Sequence, residues 1–139
     1  MTDGFNYKTI GAILESGRVI THAANVAALV AAAGCLTAAH PIARACFLVA
    51  CLCWAPACYF AARVAIDTRL FGLLAESGDD GGDRLDRALN EMGVTGPRPA
   101  RAASARIAGG VEHWRSLIYS FLAEVVFALG GIVAVWMGW

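Results

Sequence analysis

Charged residues are scarce in this chain: 16% of its 139 residues are charged and 58% are hydrophobic. A typical soluble domain has about 25% charged residues. The 11 basic and 11 acidic residues balance, so no excess of positive charge suggests nucleic acid as a partner. From Ala45 to Ala62 the sequence carries no charge at all. Because each helix of a soluble bundle needs a polar face, this stretch argues against a soluble helical protein.

The chain also lacks the motifs of common catalytic and metal sites. It contains no nucleophile–base pair, no phosphate-binding glycine loop and no His-rich metal motif. All five cysteines fall in long apolar stretches, and Cys51-Leu52-Cys53 has neither the spacing nor the His partners of a zinc site. We interpret the cysteines as small apolar residues that pack between helices. We expect a protein without a bound metal, without a cofactor and without enzymatic activity.

Three long apolar blocks stand in place of these features. They lie at residues 19–39, 42–66 and 114–139, and each is long enough to cross the roughly 30 Å core of a bilayer as an α-helix. The sequence therefore predicts an all-α integral membrane protein with three transmembrane helices. Residues 1–18 would form an interfacial N-terminal segment, and residues 67–113 a cytoplasmic loop between the second and third helices.

Local signals refine these boundaries. Residues 32–35 resemble a lipoprotein cleavage site but have alanine where leucine is usual, so we expect the first helix to be retained. Pro41 predicts a tight turn between the first two spans, and Pro56 a kink within the second. In the loop, Asp83 to Met92 has the apolar spacing of a short amphipathic helix, which Gly93 would end.

The distribution of basic residues predicts the orientation. Lys8 and Arg18 precede the first span, whereas the hairpin between the first two spans carries only Arg44. Seven arginines lie between the second and third apolar stretches or at their edges: Arg69, Arg84, Arg87, Arg98, Arg101, Arg106 and Arg115. Because cytoplasmic segments carry the excess of Lys and Arg, we expect the N-terminus and the long loop in the cytoplasm and the C-terminus outside. The expected location is the inner (plasma) membrane, with membrane lipid as a partner.

Four polar residues within the predicted spans form one candidate set: His22, Asn25, Arg63 and Glu124. Polar side chains at such depth are costly and are functional candidates by default. All four lie in the cytoplasmic half, so we predict an intramembrane cluster with an Arg63–Glu124 contact. The alternatives are that Arg63 extends to the lipid headgroups and that His22 is a packing residue. Glu124 would lock helices together, contact a partner subunit or carry protons.

Small residues predict helix-packing faces on two spans. Ala27 and Ala31 continue a four-residue spacing on the first, and Gly130 and Ala134 do so on the third; such faces allow close approach of helices in lipid. The sequence favours a non-catalytic membrane subunit that assembles with other membrane subunits or with copies of itself. One version of this hypothesis is a subunit that is accessory to transport. The alternative is an oligomeric ion or proton channel lined by Glu124 and His22. A three-span phage pore-former conflicts with the predicted orientation, and a lipid-modifying enzyme lacks a visible catalytic pair.

Overall fold

The computed structural model describes residues 2–77, 81–93 and 102–139, with side chains from residue 6 onward. The elements are five helices: α1 (Thr2–Glu15), α2 (Gly17–Thr37), α3 (Pro41–Ser77), α4 (Gly81–Glu91) and α5 (Ala103–Met137). No strand occurs in those ranges. Three helical stretches are long and apolar enough to cross a membrane: Asn6–Thr37, Pro41–Ser77 and Ala103–Met137. The prediction of an all-α chain with three such helices is confirmed.

Helices α1 and α2 follow one another with a single interruption at Ser16. The Ser16 hydroxyl donates to the carbonyl of Ile13 at 2.6 Å, and Gly17 begins the next helix. A Ser–Gly pair is a common cause of helix kinks. The segment predicted as interfacial at residues 1–18 packs against α3 of the same chain. Tyr7 and Leu14 are buried, and Tyr7 stacks on Phe71 of α3 at 5.7 Å between ring centroids.

The turn between α2 and α3 has the form that Pro41 predicts. Helix α2 ends at Thr37, Ala38 is extended, and Pro41 is the first residue of α3, where its missing N–H costs no helical bond. The guanidinium of Arg44 donates to the Ala38 carbonyl at 2.8 Å. Pro56 lies inside α3, which continues through it to Ser77.

Helix α4 corresponds to the amphipathic helix predicted at Asp83 to Met92. It runs from Gly81 to Glu91, and Gly93 follows with a left-handed φ of 69°, a conformation that commonly ends helices. Residues 78–80 and 94–101, on either side of α4, lie outside the described residues. Helix α5 starts at Ala103, well before residue 114, so most of the described part of the loop predicted at 67–113 is helical.

The three long helices pack with α3 antiparallel to both α2 and α5. At one end, Gly110 of α5 faces the ring of Phe71; a Cβ there would lie 2.8 Å from it. Near the other end, Gly34 of α2 and Gly131 of α5 both face the ring of Phe47, and a Cβ added at these positions would lie 2.5 and 2.8 Å from it. Side chains at either glycine would collide with a ring that is only 3% exposed.

Buried positions recur every seven residues on each long helix. They are Gly17, Ala24, Ala31 and Ala38 on α2 and its end; Ala43, Ala50, Ala57, Val64 and Phe71 on α3; and Gly110, Leu117, Glu124 and Gly131 on α5. A seven-residue repeat keeps one seam of each helix against its neighbours, as in left-handed coiled coils. The four-residue spacing proposed from the sequence differs from this seam. Ala31 and Ala134 are buried, Ala27 is half-buried, and Gly130 is exposed while its neighbour Gly131 is buried.

Charge divides the bundle into two regions. Arg18, Arg63 and Arg115 lie at one level, each beside the buried layer of Gly17, Val64 and Leu117. We call these three arginines the arginine belt. The basic end, named for the arginine belt at its border, is α1, α4, residues 63–77 of α3 and residues 103–115 of α5; its seven Lys and Arg residues stand against eight Asp and Glu residues. The apolar zone is residues 19–37, 45–62 and 116–137.

Candidate functional site

Glu124 is the one charged residue of the apolar zone and is completely buried. The seven-residue register places it in a layer with Ala24 and Ala57, which are 3% and 1% exposed. We call these three residues the Glu124 layer. Both carboxyl oxygens of Glu124 are buried and neither has a hydrogen-bond partner among the described residues. The two alanines leave space for the longer glutamate side chain, but they offer it no polar group.

The surroundings of Glu124 make its burial costly. The thiols of Cys51 and Cys58 on α3 lie within electrostatic range of the carboxyl group, but neither is a hydrogen-bond partner of it. A buried polar group without a partner costs about 1–3 kcal/mol, and an ionised one costs more. Glu124 lies about 14 Å from the level of Arg115 at 1.5 Å per residue, so the basic end does not solvate it.

Arg63 does not contact Glu124, and the predicted pairing of the two is wrong. The side chain of Arg63 is exposed; its Nε donates to the hydroxyl of Tyr59 at 3.2 Å, and its guanidinium lies 5.7 Å from the Tyr59 ring centroid. Two geometric reasons separate the pair. Arg63 is adjacent to the buried Val64, about 100° around the helix from the seam, and its level is that of the arginine belt.

His22 and Asn25 also lie apart from the buried carboxyl group. Both are exposed on α2, and the Oδ1 of Asn25 accepts a hydrogen bond from Trp54 Nε1 of α3 at 2.9 Å. The four residues that the sequence suggested as one cluster therefore occupy three places. Glu124 lies in the seam, Arg63 on the outer face of α3, and His22 and Asn25 along a groove between α2 and α3.

That groove has a volume of about 670 Å³ and crosses the level of the arginine belt. Its polar lining includes Glu15, Arg18, His22 and Arg69, and its apolar lining is made largely of alanines of α3 and Val64. We call it the α2–α3 groove. Sequence reasoning assigned Arg18 and Arg69 only to the charge bias. Their position beside one groove depends on the register of α2 and α3, which the basic-residue count does not contain.

Polar contacts hold the basic end together. His113 of α5 and Asp67 of α3 are 2.9 Å apart between Nδ1 and Oδ2. Arg106 of α5 pairs with Asp86 and donates to the Gly82 carbonyl, which attaches α4 to the bundle. These charged groups are partly buried, but each has a partner. In residues 2–77, 81–93 and 102–139 no group of three His, Cys, Asp or Glu side chains could hold a metal ion.

Comparison with known proteins gave no match: no family model, no curated protein and no solved structure is significantly similar to the chain. The candidate site is therefore defined by physical features alone. These are the unpartnered carboxyl group of Glu124 and the basic groove between α2 and α3. The sequence singled out the first by its depth.

Proposed function

We propose that the chain is a three-span membrane protein that acts as a non-catalytic subunit of a larger membrane complex. The observation that carries the membrane part is the common thickness of the apolar zone. From the arginine belt to Ala38, Arg44 and Trp136, the three helices each extend about 30 Å at 1.5 Å per residue. This length matches the hydrocarbon core of a bilayer, and it recurs on all three helices.

The two ends of the apolar zone support the predicted orientation. The arginine belt and the partner-rich basic end lie on one side. On the other side, Trp136 and Trp139 are exposed near the C-terminus, as expected for aromatic residues at a membrane interface. We propose that the basic end is cytoplasmic, in the inner (plasma) membrane, and that the α2–α3 hairpin and the C-terminus face outward.

The sealed position of Glu124 argues against a polar path through one chain and leaves a role within an assembly. Beyond the Glu124 layer, the seam towards the hairpin consists of Ala31, Ala50 and Gly131, and the Phe47 ring lies between Gly34 and Gly131. One chain thus offers no polar steps from Glu124 to the hairpin end along this seam. The outer surface of the apolar zone carries exposed large apolar residues, including Leu29, Val30 and Leu129, which suits contact with lipid or with another subunit.

Labelling of single cysteines tests the membrane orientation. On a cysteine-free background, Asn90→Cys in α4 and Met137→Cys at the end of α5 are treated with an impermeant thiol reagent in intact cells. We expect Met137→Cys to react and Asn90→Cys to react only after permeabilisation. Reaction of Asn90→Cys in intact cells, with protection of Met137→Cys, would contradict the orientation.

The subunit role is tested separately by mass. Light scattering of the protein purified in mild detergent should give a protein mass above that of one 14.6 kDa chain, from copies of itself or from an identified partner. A monomeric mass in several mild detergents, with no partner recovered by cross-linking in cells, would refute the subunit role and leave the membrane topology standing.

A second candidate function is an oligomeric proton or ion channel, favoured by the unpartnered carboxyl group of Glu124. Rearranged helices in an assembly would have to open the sealed Glu124 layer to water. Proton flux in vesicles reconstituted with the protein should then be lost in Glu124→Gln and kept in Asn25→Ala. A His22→Ala variant is measured separately in the same flux assay, because His22 lies in the α2–α3 groove and not beside Glu124. Equal flux for the original protein and Glu124→Gln would exclude this function.

A further inference from the structure

The α2–α3 groove combines basic side chains with an apolar slot at the level where a bilayer changes from headgroups to hydrocarbon. Arg18 and Arg69 line its outer part. By the antiparallel register of α2 and α3, Arg69 is about 9 Å further from the apolar zone than the arginine belt. Both arginines are therefore at the depth of lipid headgroups if the apolar zone lies in the hydrocarbon core.

The partners of these arginines leave their charge available. Arg18 is 76% exposed and lies 3.9 Å from Glu15, itself 64% exposed, a distance at which an exposed ion pair contributes little. Arg69 makes no ion pair with any described residue. His22 adds a ring nitrogen to the same lining. Arginine binds phosphate oxygens through a planar fork of N–H donors, so the outer part of the groove suits a phosphate group.

The deeper part of the groove suits a hydrocarbon chain. Ala61 and Ala62 line it on α3, and Cys58 lies at its inner end. Small side chains leave a slot between the helices that larger residues would fill. The hydroxyl of Thr21 in this slot donates to the carbonyl of Gly17 at 2.8 Å, and that of Thr68 in the outer part donates to the carbonyl of Val64 at 2.7 Å, so both donors are already used.

We propose that the α2–α3 groove binds an anionic phospholipid of the cytoplasmic leaflet, with its phosphate on Arg18 and Arg69 and one acyl chain along the alanines of α3. Basic pockets between membrane helices on the cytoplasmic side commonly bind such headgroups. The assignment rests on the proposed membrane insertion and adds a ligand class to it. Glu15 lowers the affinity of the groove for an anion, so its removal should strengthen binding.

Native mass spectrometry of the purified protein, titrated with phosphatidylglycerol in mild detergent, tests this site. We expect Arg18→Gln and Arg69→Gln each to weaken binding about fivefold, and the double variant about 30-fold. Glu15→Gln should tighten it. Arg63→Gln is the matched control, because Arg63 lies in the same belt but faces Tyr59 outside the groove; its affinity should stay within about twofold.

The outcomes separate the lipid from its alternatives. Phosphatidylcholine, which has no net charge, should bind at least tenfold more weakly, roughly the effect of removing one to two arginines. Equal affinities for the two lipids, or an equal loss in Arg63→Gln, would overturn the proposal. Inorganic phosphate that competes at the same concentration as phosphatidylglycerol would make the site a free-anion site and overturn the lipid assignment. Fractionation of the cells that express the protein separates the two proposals: protein found in the membrane fraction with no lipid preference refutes only the groove, and soluble protein refutes both.

Discussion

The basic end and the apolar zone of this bundle treat buried charge in opposite ways. At the basic end, Asp67 meets His113 and Asp86 meets Arg106; the Arg106 side chain is 9% exposed, and those of Asp67, Asp86 and His113 are 22, 29 and 32% exposed. In the apolar zone, Glu124 is fully buried and has no partner among the described residues. Natural proteins rarely keep an orphaned buried carboxyl group. The contrast indicates that the pairs at the basic end stabilise the fold, whereas Glu124 is retained at a cost to stability.

The packing of the two regions differs as well. The basic end is filled by large side chains such as Leu14, Phe71 and Leu74. The apolar zone is filled by alanines and glycines around one ring, that of Phe47. Helices in lipid gain stability from close approach and dispersion rather than from the exclusion of water. The apolar zone should therefore be the region most sensitive to added bulk.

The largest expected effect comes from bulk beside Phe47. Gly131→Leu places a side chain where even a Cβ would lie 2.8 Å from the ring, and overpacking of this kind costs about 1–3 kcal/mol, occasionally more. We expect the free energy of unfolding, measured by SDS titration in mixed micelles, to fall by about 3 kcal/mol. Gly130→Leu is the matched control, since its Cβ meets only Cys46 Sγ at 4.0 Å. Equal losses at both positions would refute the seven-residue seam.

An intermediate effect is expected at the basic end. Asp67→Ala and His113→Ala each remove one partner of a half-buried pair, so each should lower the free energy of unfolding by about 1 kcal/mol. The double variant should lose little more than either single one, giving a coupling energy of about 1 kcal/mol. Additive losses in this double-mutant cycle would show that the pair does not stabilise the contact between α3 and α5.

The smallest effect is expected at the surface of the apolar zone. The hydrogen bond from Trp54 to Asn25 is exposed, and such bonds between membrane helices contribute about 0.6 kcal/mol on average. Trp54→Phe keeps the ring and removes the donor, and it should lower the free energy of unfolding by about that amount. A loss above about 2 kcal/mol would exceed the largest such coupling measured between membrane helices and would place a buried network where the structure has a surface contact.

The number and approximate extent of the helices could be predicted from the sequence. Runs without charge, a proline at the hairpin and the glycine after α4 are local signals, and each acts within a few residues. The register of the seam could not be predicted in the same way. Spacings of four and of seven coexist in stretches as rich in alanine as α2, and only the shape of the facing helix decides between them. The Phe47 ring fixes the register, because only glycine fits against it at positions 34 and 131.

The candidate site could be predicted only in part, because some of its features are local and others depend on the register of the helices. The depth of Glu124 follows from counting residues along α5, whereas its isolation was not predicted and is seen only in the structure. The pairing with Arg63 failed because axial distance was considered without the direction around the helix. Arg63 is one residue from a seam position and hence about 100° from it. The α2–α3 groove required both helices in register, which one sequence without a structure does not provide.

The isolation of Glu124 is tested most directly by the stabilities of four proteins: the original chain, Glu124→Met, Arg63→Gln and the double variant. Replacing an orphaned buried carboxyl group by an apolar side chain of similar length should raise the free energy of unfolding by about 1–3 kcal/mol. The gain should be the same with Arg63 or Gln at position 63, so the coupling energy should be close to zero. A loss of stability in Glu124→Met that Arg63→Gln partly restores would contradict this account, because it would show that the two charges are paired.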